Sequence, residues 1–184
     1  MKTKIKYDDW IETYSGIRFH PIRPSLNEFV IKDVAHALSM ICRYTGHCSD
    51  FYSVAQHSVY VSMVCDEFRF EGLMHDAVEA YISDVNTTVK MHLDDYRELE
   101  YDIMEVMAKR FGFSPPPLPD EVKNADIMVL EWEHQNLFKS GIKWSTSHLE
   151  IDDRLKKIKF KALEPREACD LFMDTYTKII GEKR

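Results

Sequence analysis

Helical periodicity constrains the fold of this chain more than any other feature of its sequence. Apolar residues recur three and four positions apart in segments such as DDYRELEYDIMEVMAKRFG and PREACDLFMDTYTKII. The alternation of apolar and polar residues that is typical of strands is sparse, and only six of the 184 residues are glycine. The pattern predicts an all-α fold, a bundle of about six or seven helices.

Capping signals predict where several helices begin. We expect a short helix at about residues 8–13, another capped by Asp33, and a third that starts where Ser53 and Gln56 match a capping box. The segment FEGLMHDAVEAYISD predicts a helix that continues to about Ile82, followed by a loop, SDVNTTVK. Later helices are expected at 94–112, from a cap at Asp120 and from Pro165, which suits a first helical position.

Length and charge limit the classes of function. A chain of 184 residues is long enough for one domain, residues 1–184, with a substantial hydrophobic core. The formal net charge of −7 argues against a nonspecific nucleic-acid binder, which needs surplus lysine and arginine. A small anionic ligand remains compatible with this charge, because a metal can make one pocket cationic.

The cysteines and the apolar segments indicate a cytoplasmic protein. No pair of cysteines has CxxC spacing, which excludes a zinc ribbon and favours free thiols in a reducing compartment. The first residues, MKTKIKYDDWIETYSG, lack the apolar core of a signal peptide, and we expect no membrane span. The apolar face of the last helix would also suit contact within a homo-oligomer.

Four residues on different predicted helices could bind one metal ion: His57, His75, Asp76 and Asp126. Helical bundles build metal sites from inward-facing side chains of this kind. Mixed nitrogen and oxygen ligands suit a first-row divalent ion, and a site with open positions activates water. The spacing leaves an alternative open, in which His75 is a satisfied core histidine and Asp76 a surface acid.

Three segments in this order, YSVAQHS, LMHDAVEAYISDVNTTVK and NADIMVLEWE, resemble the HD-domain phosphohydrolases. The most similar subgroups are the HD-type 5′-deoxynucleotidases and phage-type nucleotide phosphohydrolases, over roughly residues 30–135. The resemblance implies an HD-domain helical bundle. It also implies that His57, His75, Asp76 and Asp126 bind one divalent ion, which could be Mn²⁺, Co²⁺, Zn²⁺ or Mg²⁺.

The resemblance also implies two catalytic acids. Glu79 matches the acid of the HDxxE motif, which handles the attacking water in this family. Asp84 matches the aspartate of a GD pair and would contact the sugar or assist the water. Ser83 stands where the family has glycine, which weakens the expectation about the shape of this loop.

Four further residues are implied to contact the substrate. Lys90 matches a lysine that neutralises phosphate, and Arg43 would hold phosphate. Tyr44 would pack against sugar or base. His47 would either reach the pocket or only cap a helix end.

The activity implied is metal-dependent hydrolysis of nucleotides, with 5′-deoxynucleoside monophosphates as the expected substrates. One alternative is a triphosphohydrolase that converts a dNTP such as dATP to deoxynucleoside and tripolyphosphate. A second alternative, of another class, is a sensor that binds nucleotides without turnover. A cyclic-nucleotide phosphodiesterase would need a second set of metal ligands, for which the sequence shows no candidates.

The remaining acids and histidines are expected to have no role in the site. Glu131 and Glu133 are interpreted as a solvated helix face, and His36 as structural. The histidines expected at the surface are His20, His92, His134 and His148.

Overall fold

Helices form most of residues 8–182, the part of the chain that the computed structural model describes. The helices are α1 (Ile31–Met40), α2 (Val54–Val64), α3 (Arg69–Met74), α4 (Glu79–Ile82), α5 (Thr87–Lys90), α6 (Asp94–Phe111), α7 (Asp120–Leu137), α8 (Asp153–Lys156) and α9 (Pro165–Glu182). Short 3₁₀ turns cover Leu26–Glu28 and Arg43–Gly46, and the strands β1 (Ile11–Glu12) and β2 (Arg18–Phe19) form an antiparallel hairpin. The prediction of an all-α fold is confirmed.

Helix α2 lies at the centre of this arrangement. It packs against α1, α3, α7 and α9, and nearly all of its residues are buried. The hydroxyl of Ser53 accepts a hydrogen bond from the backbone N–H of Gln56 at 3.2 Å, as the capping signal predicts. The side chain of Gln56 does not complete the box, because its Oε1 accepts instead from the backbone N–H of Leu163 at 2.9 Å.

Two apolar clusters flank α2. Val54 and Val59 on one side of the helix belong to a cluster with residues of α1, α3, α6 and α9. Tyr60 and Val61 on the other side belong to a cluster with residues of α7 and α8. A helix that is apolar around its whole circumference is stable only when it is buried on all sides, and this burial fixes the position of His57.

The prediction of a helix at residues 8–13 is wrong, since β1 occupies Ile11–Glu12. The carboxylate of Asp33 accepts hydrogen bonds from the hydroxyl of Thr13 at 2.7 Å and the backbone N–H of Ser15 at 2.9 Å. The same contacts correct the role of Asp33. Asp33 lies within the first turn of α1, which begins at Ile31. Its carboxylate binds the loop of the hairpin instead of capping the helix.

The helix predicted to run to Ile82 is interrupted after Met74. Between α3 and α4 the backbone bonds connect residues three apart, as in Ala77 N–H to Met74 O and Glu79 N–H to Asp76 O, both at 3.0 Å. These bonds tighten the turn that carries His75 and Asp76.

Other boundaries differ by smaller amounts. The segment predicted as a loop, SDVNTTVK, contains α5, and Asp120 is the first residue of α7, whose cap is Pro119. The end of α6 at a left-handed Gly112 and the start of α9 at Pro165 agree with prediction. The assignment of residues 1–184 to one domain stays a prediction. Within residues 8–182, no helix combines the length and the apolar character needed to cross a membrane.

Candidate metal centre

The structure brings together the four residues predicted as metal ligands. His57 projects from α2, His75 and Asp76 from the turn after α3, and Asp126 from α7. His57 Nε2 lies 3.3 Å from His75 Nε2 and 3.1 Å from Asp126 Oδ1. Asp76 Oδ2 lies 3.1 Å from His75 Nε2 and 3.8 Å from His57 Nε2.

These separations fit a shared cation. Ligand atoms that bind one ion at about 2.0–2.2 Å lie within roughly 4.4 Å of one another. One ligand atom from each of His57, His75 and Asp126 falls within a span of 4.8 Å, so this group could hold a metal ion. Imidazole and carboxylate together suit a first-row divalent ion.

Hydrogen bonds fix both histidine rings so that their Nε2 atoms face the centre. His57 Nδ1 lies 2.7 Å from Glu133 Oε1, and His75 Nδ1 lies 2.8 Å from the backbone carbonyl of Gly72. Because the oxygens can only accept, each Nδ1 donates the hydrogen bond, and in the neutral ring Nε2 keeps the lone pair that a metal ion needs. Two lone pairs that face each other in a buried site are stabilised by a cation between them.

The electrostatics of the centre also favour positive charge. Burial and the Arg43 guanidinium oppose protonation of His57, but Glu133 and Asp126 outweigh them and raise the pKa of His57 to about 9. Burial opposes ionisation of Asp76, but His75, His57 and Arg43 hold its pKa well below the usual range. The cationic groups therefore keep Asp76 ionised beside the two buried histidines.

Glu79 in α4 and Lys90 in α5 lie beside this centre. Both residues were predicted to belong to the site. Glu79 is buried, and its Oε2 has no hydrogen-bond partner among the described residues. Burial raises the pKa of Glu79 well above its ordinary value, and Asp76 and Asp84 raise it further. Lys90 Nζ lies 3.8 Å from Glu79 Oε1 and donates to Glu100 Oε1 at 2.8 Å. Burial likewise raises the pKa of Asp84.

Arg43 and Tyr44 approach the centre from a strained turn. Arg43 Nη1 lies 3.6 Å from Asp76 Oδ2, close to the ligands. Tyr44, Thr45 and Gly46 have φ values of 58°, 53° and 76°, and such left-handed values are unusual for tyrosine and threonine. The backbone N–H of Arg43 donates to Tyr52 O at 2.8 Å, and His47 N–H donates to Tyr44 O at 3.0 Å.

Glu133 is a site residue that the sequence interpretation missed. It was expected on a solvated face, but it is fully buried and contacts His57, Tyr44 and Arg43. The signal that could have found it is its distance from Asp126. Seven residues are two helical turns, so both side chains lie on one face of α7.

Two other expectations about polar residues on α7 are also corrected. Glu131 is buried and accepts hydrogen bonds from Gln135 at 2.9 Å and Thr146 at 2.7 Å. His134 was expected at the surface, but it is buried and stacks on Trp144 with ring centroids 4.0 Å apart. His20 was expected at the surface, and its Nδ1 lies 3.1 Å from Glu28 Oε1.

Comparison with known proteins places the chain among its relatives. No protein-family model matches it. It is 38% identical over 172 residues to an uncharacterized protein, YfdR, of Escherichia coli. The aligned region covers 92% of this chain and 95% of YfdR. The chain belongs to the YfdR family. It is also 30% identical over 142 residues to an uncharacterized protein of Rhodobacter capsulatus, RCAP_rcc00048, with 70% and 72% of the two chains covered.

In this member of the YfdR family, two cavities meet at the candidate metal centre. One, of about 520 Å³, is lined by Arg43, His47, Glu79, Asp84 and Lys90 among others. The second, of about 820 Å³, has Met91, Tyr101, Met104, Pro116 and Leu118 in its wall. Asp76, Thr87, Lys90 and Asp126 line both. A bound molecule could therefore extend in two directions from the centre, towards cationic groups or towards an apolar wall.

Proposed function

We propose that the chain is a metal-dependent phosphohydrolase of the HD type that acts on nucleotides, with 5′-deoxynucleoside monophosphates as its first expected substrates. The observation that carries the proposal is the convergence of two oriented imidazoles and two aspartates at the meeting point of two cavities. A buried carboxyl, Glu79, and two cations, Arg43 and Lys90, lie beside them.

The residues divide the chemistry among them. A divalent ion, when bound, supplies Lewis acidity at a phosphate oxygen and lowers the pKa of water. His57, His75, Asp76 and Asp126 hold it, and Glu79 takes a proton from the attacking water. The raised pKa of Glu79 makes its carboxylate, once ionised, a stronger proton acceptor than an exposed glutamate. The new bond joins the water oxygen to phosphorus while the P–O5′ bond breaks, and O5′ takes the proton held by Glu79 and leaves as the hydroxyl of the nucleoside.

Arg43 and Lys90 offset the charge of the phosphate. Arg43 can offer donors from a planar guanidinium, whereas Lys90 acts as a point charge. Lys90 is held by Glu100 and stays close to Glu79, so its ammonium lies on the same side of the centre as the proposed base. Asp84 lines the same cavity, where we assign it to the sugar or to the water.

The shape of the site also supports the second candidate, a dNTP triphosphohydrolase. A triphosphate needs space and positive charge beyond the metal, and the 520 Å³ cavity offers space and two cations, Arg43 and Lys90, beside the acids Asp76, Glu79, Asp84 and Asp126. The 820 Å³ cavity with its apolar wall would then receive the nucleoside. Attack at the α-phosphorus would release tripolyphosphate by the same bond cleavage.

Product analysis tests the proposal. Purified protein is incubated with dAMP or dATP and Mn²⁺, Co²⁺, Mg²⁺ or Zn²⁺, and products are separated by chromatography. We expect deoxyadenosine with phosphate from dAMP, or with tripolyphosphate from dATP. Asp76→Ala should lose turnover by about 10³-fold or more, because it removes a ligand and a neighbour of Arg43.

Asp153→Ala, which changes an exposed acid on α8, is the control and should keep wild-type turnover. Undiminished activity in Asp76→Ala would overturn the metal assignment. Nucleotide binding without release of any product, under every metal, would favour the sensor.

A further inference from the structure

We infer that Glu133 is a positioning residue that holds the metal ligand His57 and the anion-binding turn, residues 43–47, in place together. The inference rests on the proposed function, because it assumes that His57 binds a metal ion and that the turn binds phosphate. Glu133 lies in the HD-like segment NADIMVLEWE, but the resemblance assigned it no role in the site.

The two oxygens of Glu133 have different partners. Oε1 accepts the hydrogen bond from His57 Nδ1 at 2.7 Å. Oε2 accepts a hydrogen bond from the Tyr44 hydroxyl and lies 3.3 Å from Arg43 Nε. One carboxylate on α7 thus joins α2 to the turn before it.

Burial makes these contacts obligatory. Glu133 is fully buried, and an ionised carboxylate without partners is strongly disfavoured in such a place. His57 and Tyr44 supply hydrogen-bond donors, and the Arg43 guanidinium supplies the opposite charge. Both oxygens of the carboxylate are therefore committed to these three groups.

Each contact orients a group with a function. The bond to Nδ1 selects the His57 tautomer whose Nε2 lone pair faces the centre. The bond from Tyr44 anchors a turn in which Tyr44 and Thr45 have positive φ, a conformation that persists only where surrounding contacts impose it. Loss of Glu133 would release both the metal ligand and the turn.

Glu131 provides a matched control on the same helix. It is nearly as buried as Glu133 and is also hydrogen-bonded, but its partners Gln135, Thr146 and Ser147 lie outside the site. If metal binding needed only buried carboxylates on α7, substitution of either residue would weaken it. If Glu133 is a positioning residue, only its own substitution would weaken metal binding.

The test compares Glu133→Gln with Glu131→Gln by titrating metal-free protein with Co²⁺ in a calorimeter. Glu133→Gln should bind Co²⁺ about 10–100-fold more weakly than wild type, as for other groups that orient a metal-binding histidine. Glu131→Gln should stay within about twofold. Glu133→Asp, which keeps the charge, should recover part of the lost affinity. Equal Co²⁺ affinity in wild type and Glu133→Gln would overturn the inference.

Tyr44→Phe tests the other contact and remains informative if Glu133→Gln does not fold. It leaves the bond between His57 and Glu133 intact, so Co²⁺ affinity should be unchanged. The affinity of the Co²⁺-loaded protein for inorganic phosphate should fall about three- to tenfold. Unchanged phosphate affinity would contradict the anchoring of the turn. Neither titration requires turnover, so wild-type protein that binds Co²⁺ without hydrolysing nucleotides would refute the proposed function and not this inference.

Discussion

Two neighbouring acids, Asp76 and Glu79, respond differently to burial at the same centre. Positive groups around Asp76 lower its pKa despite burial, whereas burial and the charge of Asp76 and Asp84 raise that of Glu79. Where the surroundings lower the pKa of one carboxyl group and raise that of its neighbour, the first typically acts as a charged group and the second transfers protons. Asp76 therefore suits metal binding, and Glu79 suits proton transfer.

Glu79→Gln tests this division. The amide keeps the size of the side chain but cannot take a proton, so kcat should fall by about 10²–10⁴-fold. Co²⁺ affinity should stay within a few-fold of wild type, because Glu79 is not among the four groups that converge on the centre. Steady-state kinetics and a Co²⁺ titration measure the two quantities. A loss of Co²⁺ binding as large as that in Asp76→Ala would make Glu79 a ligand.

At the residue scale, the sequence indicated the convergent groups but not the residue that orients them. His57, His75, Asp76 and Asp126 were assigned together because their motifs resemble those of one family. The resemblance gave Glu133 no role, although it lies in the segment NADIMVLEWE, and its partners His57 and Tyr44 lie 76 and 89 positions away along the chain. An acid on an amphipathic helix looks solvated until the fold shows what covers it.

At the scale of elements, the relative position of the two histidines in the candidate centre depends on how closely α2 approaches α3. Gly72 of α3 lies against α2, and a Cβ at this position would be 3.0 Å from both Ser62 Cα and Cys65 Sγ. The hydroxyl of Ser62 also donates to Arg69 O at 2.7 Å across the same contact. Backbone, unlike a flexible side chain, cannot move aside on its own.

Gly72→Ala should therefore lower the free energy of unfolding by about 1–3 kcal/mol, measured by urea denaturation. Gly181→Ala is the control, because Gly181 is in α9 and, among residues 8–182, no atom beyond its chain neighbours and its own helix backbone lies within 4 Å of the added Cβ. That change should leave stability unchanged or raise it by up to about 1 kcal/mol. A Gly72→Ala protein as stable as wild type would mean that α2 and α3 can separate without cost.

The long helices were predictable from periodicity, and the short interruptions were not. Helices α6 and α9 show apolar residues at helical spacing over 18 residues each. The break at 75–78 arises where backbone bonds change from four-residue to three-residue spacing, which leaves no mark on the apolar pattern. The N-terminal hairpin depends on Asp33, a contact from outside the segment.

At the scale of the whole molecule, the candidate centre joins parts of the chain that are far apart in sequence. Its ligands come from α2, from the turn after α3 and from α7, and α2 lies between the two apolar clusters. A cation bound by all of them would stabilise the folded state, because the unfolded chain cannot assemble the same ligands.

Saturating Mn²⁺ or Co²⁺ should therefore raise Tm. At a free concentration 100 times Kd the gain is about 2.7 kcal/mol, or roughly 5–11 °C for a chain of this size. Differential scanning fluorimetry with and without EDTA measures the shift. Asp126→Ala should abolish most of it with little change in the metal-free Tm, since the Asp126 side chain is 40% exposed. An equal shift in this variant would place the ion elsewhere.

The left-handed turn at Tyr44 and Thr45 has a consequence for how sequences in this family diverge. Backbone preference alone would favour glycine or asparagine at both positions, so we expect a ring and a branched side chain to persist there only where the pocket is used. A lineage that ceased to use the pocket would drift towards those two residues. Substitution at positions 44 and 45 would thus distinguish active descendants from relics before any assay is done.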